Sequence, residues 1–161
     1  MIPETTHLSS IAFILSIITA LFFYNLPLAD TLMYWRPPFV LLIALHWLLI
    51  TPTKIGLGSI WLAGLCLDLL YANILGQYTL AMFLTAYLVK KQEYRLRNLP
   101  SFLQSMAIII IVSIYQTLWL GSHLVSTDIS LEIKALYPAL SSALIWPLLT
   151  KTLSRLNRLL V

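Results

Sequence analysis

Asp68 is the one carboxylate set deep inside an apolar run of this sequence, Ile55 to Val89. A carboxylate in such surroundings must find hydrogen-bond donors, a cation or a proton, because an unpaired buried charge is costly. His46, isolated in another apolar run, is the only residue that could join it as an acid/base dyad. Catalysis normally asks for more, and no HExxH, GxSxG, phosphate-loop or paired-carboxylate spacing occurs. Cys66 is the single cysteine, which provides neither an intrachain disulfide nor a multi-cysteine metal site. A further polar set, Ser113, Gln116, Thr117 and His123, places 113, 116 and 117 at i, i+3 and i+4 on one helical face. Such a stripe lines a cavity or a contact between helices. These residues predict no enzyme, no cofactor and no bound metal.

Composition decides which elements can hold them. Of 161 residues, 60% are hydrophobic and 10% charged, against roughly 25% charged in a soluble domain. The mean hydropathy of +0.88 agrees. So little charge cannot cover a water-soluble globule, and helices that are apolar all round need a bilayer as their solvent. The expectation is an all-α, polytopic six-helix transmembrane bundle forming a single integral membrane domain over residues 1–161. A bilayer core of about 30 Å calls for about 20 helical residues, fewer where the bilayer thins. On that ruler the spans are 8–26, 37–50, 55–71, 75–89, 101–124 and 135–150. Ile55 to Val89 is too long for one crossing, and Ala72-Asn73-Ile74-Leu75-Gly76-Gln77 is its only turn-like stretch. Pro147 should kink or end the last span. Met1 to His7 lacks Lys and Arg, so the first run reads as retained and not as a cleaved signal.

Six crossings place both ends on one side. Lys54, Lys90, Lys91, Arg95, Arg97, Lys151, Arg155 and Arg158 share that side, while Arg36 and Lys134 fall on the other, so the ends are predicted to be cytoplasmic. The net charge of +4 therefore reads as topology and contact with membrane lipids, not as nucleic-acid binding. The segment Lys151 to Val161 either lies along the inner leaflet or simply anchors the last span.

Counting about 1.5 Å per residue from Ile55 puts Asp68 roughly 20 Å from the inner edge, one turn short of the Ala72 connector. There it could cap a neighbouring helix, meet water or pair with a cation, for which Arg36 is the natural candidate. Gly56, Ser59, Ala63 and Cys66 make a narrow small-residue face on the same helix, with Gly64 on another face one turn before Asp68. Close approach of a second backbone there predicts that the third span is the hub of the fold. His46 is expected to hydrogen-bond a backbone or hydroxyl group of a neighbouring helix.

Trp35-Arg36-Pro37-Pro38-Phe39-Val40-Leu41-Leu42, then Gly58, Gly64-Leu65-Cys66-Leu67-Asp68-Leu69-Leu70 and Leu75-Gly76, then Ala81-Met82 and Ala86-Tyr87-Leu88-Val89, resemble the family of rod shape-determining MreD proteins. The resemblance covers nearly the whole chain, including the basic connector after the fourth span and Trp146-Pro147. It implies an inner-membrane subunit of the bacterial elongation machinery, associated with MreC. Through MreC it would be linked to MreB filaments and to the glycosyltransferase and transpeptidase that build lateral-wall peptidoglycan. It also implies a fold similar to the substrate-binding subunits of energy-coupling-factor transporters. By position, Arg36, Pro37, Gly58, Gly64, Asp68 and Gly76 match the family's motif residues, in structural or partner-docking roles.

The sequence is thus compatible with two functions. One is a noncatalytic scaffold or regulator that maintains rod shape through MreC and organises peptidoglycan synthesis. The other is a small-molecule binding or transport module of the vitamin-transporter type, which would use the polar stripe of the fifth span. A second copy of the chain is a further open partner.

Overall fold

The computed structural model describes residues 5–25, 35–51, 55–71, 75–124 and 137–160, without the side chains of 5–10, 122–124 and 157–160. These residues are all-helical, in the order α1 (Thr5–Tyr24), α2 (Phe39–Ile50), α3 (Leu57–Tyr71), α4 (Gln77–Lys91), α5 (Glu93–Arg97), α6 (Ser101–Leu124) and α7 (Tyr137–Leu160). Long helices pack as sequential hairpins, α1 with α2, α3 with α4 and α6 with α7, while α4 also packs on α6 and α1 on α7. Among the described residues one stretch, Ser101–Gly121, is long and apolar enough to cross a membrane; Ile11–Tyr24, Phe39–Ile50 and Leu57–Tyr71 are shorter apolar helices.

The centre of the bundle is α2, and not the third predicted span. Every residue from Val40 to Leu49 is buried, and α2 touches α1, α3, α4, α5 and α7. A helix that is apolar on all sides belongs where neighbours surround it. Its limits are local: Pro38 occupies the N-cap, and at the far end the Thr51 N–H and hydroxyl both donate to the Trp47 carbonyl, at 2.8 and 3.0 Å. Pro52 follows in the sequence and does not favour continuation. Against α1, the Trp47 indole donates to Ser16 Oγ at 3.0 Å, and the Ser16 hydroxyl donates to the Phe13 carbonyl at 2.7 Å.

His46 also departs from expectation. Its ring lies edge-on to Trp47 and Trp146, with centroids 6.4 and 6.2 Å apart, and forms no hydrogen bond with the described residues. The indole Nε1 of Trp146 likewise finds no partner there.

Pro147 does not end the last helix. α7 continues to Leu160, so residues 151–160 extend the helix of the last predicted span. Leu153 is buried and Leu156 packs on the core, whereas Lys151 and Arg155 face outward. This inward apolar face keeps the helix on the bundle beyond the proline. At the N-terminal end of α6, the Gln104 amide donates to the Leu96 carbonyl at 3.1 Å and ties α5 to the bundle.

Candidate functional site

The α3–α4 turn gathers most of the chain's specialised residues. Helix α4 starts at Gln77 after Gly76, which has φ +98° and no side chain to cap the exposed N–H groups. A left-handed φ at little cost is what glycine provides, while an uncapped helix start leaves backbone donors unsatisfied. Asp68 supplies the missing acceptor from α3. Its Oδ1 accepts the Tyr78 N–H at 2.7 Å, and its Oδ2 accepts the N–H groups of Gly76 at 3.1 Å and Thr79 at 3.0 Å. The Thr79 hydroxyl also donates to Oδ2.

This is an N-cap supplied by a different helix. The carboxylate, 1% exposed, is surrounded by oriented donors at the positive end of the α4 dipole. Charge-assisted hydrogen bonds of this type are worth about 1.5–3 kcal/mol each, which offsets burial. Of the fates open to Asp68, the cap is realised. The expected pairing with Arg36 is not, since the partners of Asp68 all lie at the start of α4.

Gly64 lies one turn earlier on the same side of α3. A Cβ placed there would stand 2.7 Å from Thr79 Cα and 3.2 Å from its nitrogen. Close approach to α4 thus requires the hydrogen side chain. The face in use contains Ile60, Ala63, Gly64, Leu67 and Asp68, all buried, while Cys66 is exposed. Of the predicted small-residue face, only Ala63 is buried.

Arg36 reaches the same end of the bundle by another route. Its guanidinium donates to the Tyr24 carbonyl at the end of α1 and lies 5.2 Å from the Tyr24 ring centroid. Tyr24 stacks at a tilt on Tyr71, 4.7 Å between centroids, and its hydroxyl is 3.4 Å from that of Tyr78. Two tyrosines therefore stand between Arg36 and the Asp68 cap. Pro37 is buried beside this cluster, and Trp35 stacks on Tyr137 at 4.8 Å, joining the start of α2 to that of α7. Gln77 and Tyr78 continue the cluster onto α6 through Trp119: the Gln77 amide donates to the Trp119 carbonyl at 3.5 Å, and the Tyr78 and Trp119 rings are 6.0 Å apart.

Arg36, Pro37, Gly64, Asp68 and Gly76 are thus at one end of the molecule, whereas Gly58 is exposed in the first turn of α3 with open space around it. The polar stripe is separate. Ser113 donates to the Ile109 carbonyl at 2.7 Å and Thr117 to the Ser113 carbonyl at 2.8 Å, both within α6. Gln116 is half-buried, and the His123 side chain lies outside the described residues. Sequence reasoning missed Thr79, Tyr71 and Tyr78, and it took Tyr24 only as an aromatic at the membrane edge, not as the partner of Arg36. One signal was available: Gly76 opens α4 without a capping side chain, so an acceptor had to come from elsewhere.

Fold and site together define a helical-bundle protein whose buried polar groups fasten one helix to the next. The chain belongs to the family of the rod shape-determining protein MreD, which matches residues 5–156. It is similar to the rod shape-determining protein MreD of Haemophilus influenzae, 28% identical over 153 residues that cover 91% of this chain and 94% of that relative. Membership assigns the chain to rod shape determination. No solved structure matches, and the expected similarity to energy-coupling-factor subunits is not shown.

Proposed function

We propose that this chain is a noncatalytic, six-crossing scaffold of the bacterial inner membrane, with both ends cytoplasmic, that maintains rod shape by binding MreC and helping to organise lateral peptidoglycan synthesis. One observation carries the reading: the motif residues Gly64, Asp68 and Gly76 are spent on a single helix-to-helix junction. A carboxylate that accepts four hydrogen bonds from Gly76 and the first turn of α4 holds a fold together and has little capacity left for proton or ion transfer. The described cations support the orientation, since Lys90, Lys91, Arg95, Arg97, Lys151 and Arg155 share one end while Arg36 occupies the other.

The vitamin-transporter reading has no comparable support. Ser113 and Thr117 donate to carbonyls of their own helix.

Depletion in a rod-shaped host, complemented by the wild-type chain or by Gly64→Leu, tests the proposal alongside copurification of MreC. Rounding on depletion, rescue by wild type alone and MreC recovered with the wild-type chain are expected. Rods that persist on depletion, together with no MreC copurification, would remove the scaffold reading. Reporter fusions at either chain end test the topology independently.

A further inference from the structure

The geometry points to a headgroup site for anionic phospholipid around the N-terminal end of α6. Six cations surround this end: Lys90 and Lys91 at the close of α4, Arg95 and Arg97 on α5, and Lys151 and Arg155 on α7. Five are exposed, Lys90 is half-buried, and none forms an ion pair with the described residues. Glu93 is the only carboxylate between Lys90 and Ser101.

The folding of α5 and α7 fixes where these charges point. Leu96 packs on the core and leaves its neighbours Arg95 and Arg97 outside; buried Leu153 does the same for Lys151 and Arg155. Cations at the C-terminal turns of α4 and α5 also favour those helix dipoles, but this interaction leaves the exposed head groups free to meet phosphate.

A lipid surface fits better than an acidic protein because of what lies between the charges. Tyr94 is 82% exposed and Phe102 is 70% exposed, and the two flank the start of the apolar stretch Ser101–Gly121. Aromatic rings beside cations at the end of an apolar helix match a bilayer's headgroup layer, where the ring enters the acyl boundary and the cation meets phosphate. The cations also come from three helices that each pack on α6, so they form a collar and not one peptide-width groove. Arg95 and Arg97 have the planar fork that binds a phosphodiester through two parallel hydrogen bonds, while lysines add charge.

The inference rests on the six-crossing reading only for the side that the collar faces. Lipid preference measured on the purified chain does not depend on that side, whereas a reporter fused to a chain end reads the side alone. Native mass spectrometry of the full chain, from detergent containing equimolar phosphatidylglycerol and phosphatidylcholine with the same acyl chains, counts the lipids retained. One cation near an anionic surface strengthens attraction about fivefold, so phosphatidylglycerol should be retained at least about fivefold over phosphatidylcholine. Arg95→Gln, Arg97→Gln, Lys151→Gln and Arg155→Gln in one chain should lower the ratio toward what Lys90 and Lys91 alone sustain, whereas exchanging Lys and Arg for one another at the same four positions should keep it. Tyr94→Ala should lower retention of both lipids without changing their ratio.

A wild-type ratio near one, or an unchanged ratio in the four-Gln chain with an unaltered melting temperature, overturns the proposal. If that chain melts lower, salt added to the wild-type protein decides instead: screening must lower the ratio, and a salt-independent ratio also overturns it. Displacement of bound phosphatidylglycerol by polyglutamate would give the collar to an acidic protein partner, again against the proposal.

Discussion

A methyl group on Gly64 would stand 2.7 Å from the Cα of Thr79, the residue whose N–H and hydroxyl both donate to Asp68. Distance and hydrogen bonding therefore depend on each other. Asp68 can cap α4 only while the two backbones are this close, and nothing larger than hydrogen at position 64 permits that approach.

Gly64→Ala should consequently destabilise the protein by about 1–3 kcal/mol, the usual cost of forcing an extra methyl into a filled interior. The obstacle is backbone and cannot rotate away. Gly64→Leu should be worse and should exceed Asp68→Asn. Thermal melting of the detergent-solubilised chain makes the comparison, and an undiminished melting temperature for Gly64→Ala would contradict the close approach.

Asp68→Asn should cost on the order of 2 kcal/mol, because the amide keeps one acceptor oxygen while its NH2 group meets backbone N–H donors. Thr79→Ala removes one hydroxyl donor and should cost about 1 kcal/mol. Since both changes act on one hydrogen-bond cluster, the double variant should lose less than the two single losses added together. Denaturation of all three variants tests this, and strict additivity would mean that the two residues act separately.

Arg36→Met should loosen the end of α1 by about 1.5–3 kcal/mol, the range for a hydrogen bond made by a charged group. Arg36→Lys should recover part of the loss, since an ammonium can donate to the Tyr24 carbonyl but lacks the flat guanidinium face above its ring. Hydrogen exchange of the last turn of α1 is the appropriate measurement. Equal protection in wild type and Arg36→Met would show that the contact contributes nothing.

How much of this was legible depended on whether a residue broke the apolar background. Asp68 was conspicuous, and its need for donors follows from burial cost alone, so capping was among the foreseeable outcomes. Its partner was harder to find because Gly76 signals a missing cap only by lacking a side chain. The central place of α2 was not legible: Val40 to Leu49 offers one polar residue, His46, and no apolar stripe from which to infer a buried face. Small residues drew the prediction to α3, where Gly64 does mediate close approach, yet one tight contact does not make a hub. Arg36 and Asp68 share one end as expected, but sequence spacing could not reveal two tyrosines between them. On α6 the sequence could not show where the hydroxyls of Ser113 and Thr117 go, because a serine or threonine can reach the carbonyl one turn back and needs no neighbour.

Ser113→Ala and Thr117→Ala should therefore change stability by no more than about 0.5 kcal/mol each and leave cell shape intact. Their hydroxyls donate to carbonyls of α6, and those carbonyls remain bonded within the helix after substitution.

Gly58→Ala gives the last contrast. A Cβ at this position meets nothing within 4 Å, so the change should leave the melting temperature of the purified chain unaltered, unlike Gly64→Ala. If the exposed first turn of α3 is where another membrane helix of the elongation machinery approaches, the bulkier Gly58→Leu should round complemented cells and reduce MreC copurification while the isolated chain stays stable. Normal rods and undiminished MreC with Gly58→Leu would show that the partner docks elsewhere; a lowered melting temperature would show that Gly58 serves the fold. The two measurements together separate a residue that holds this bundle from one reserved for its partner.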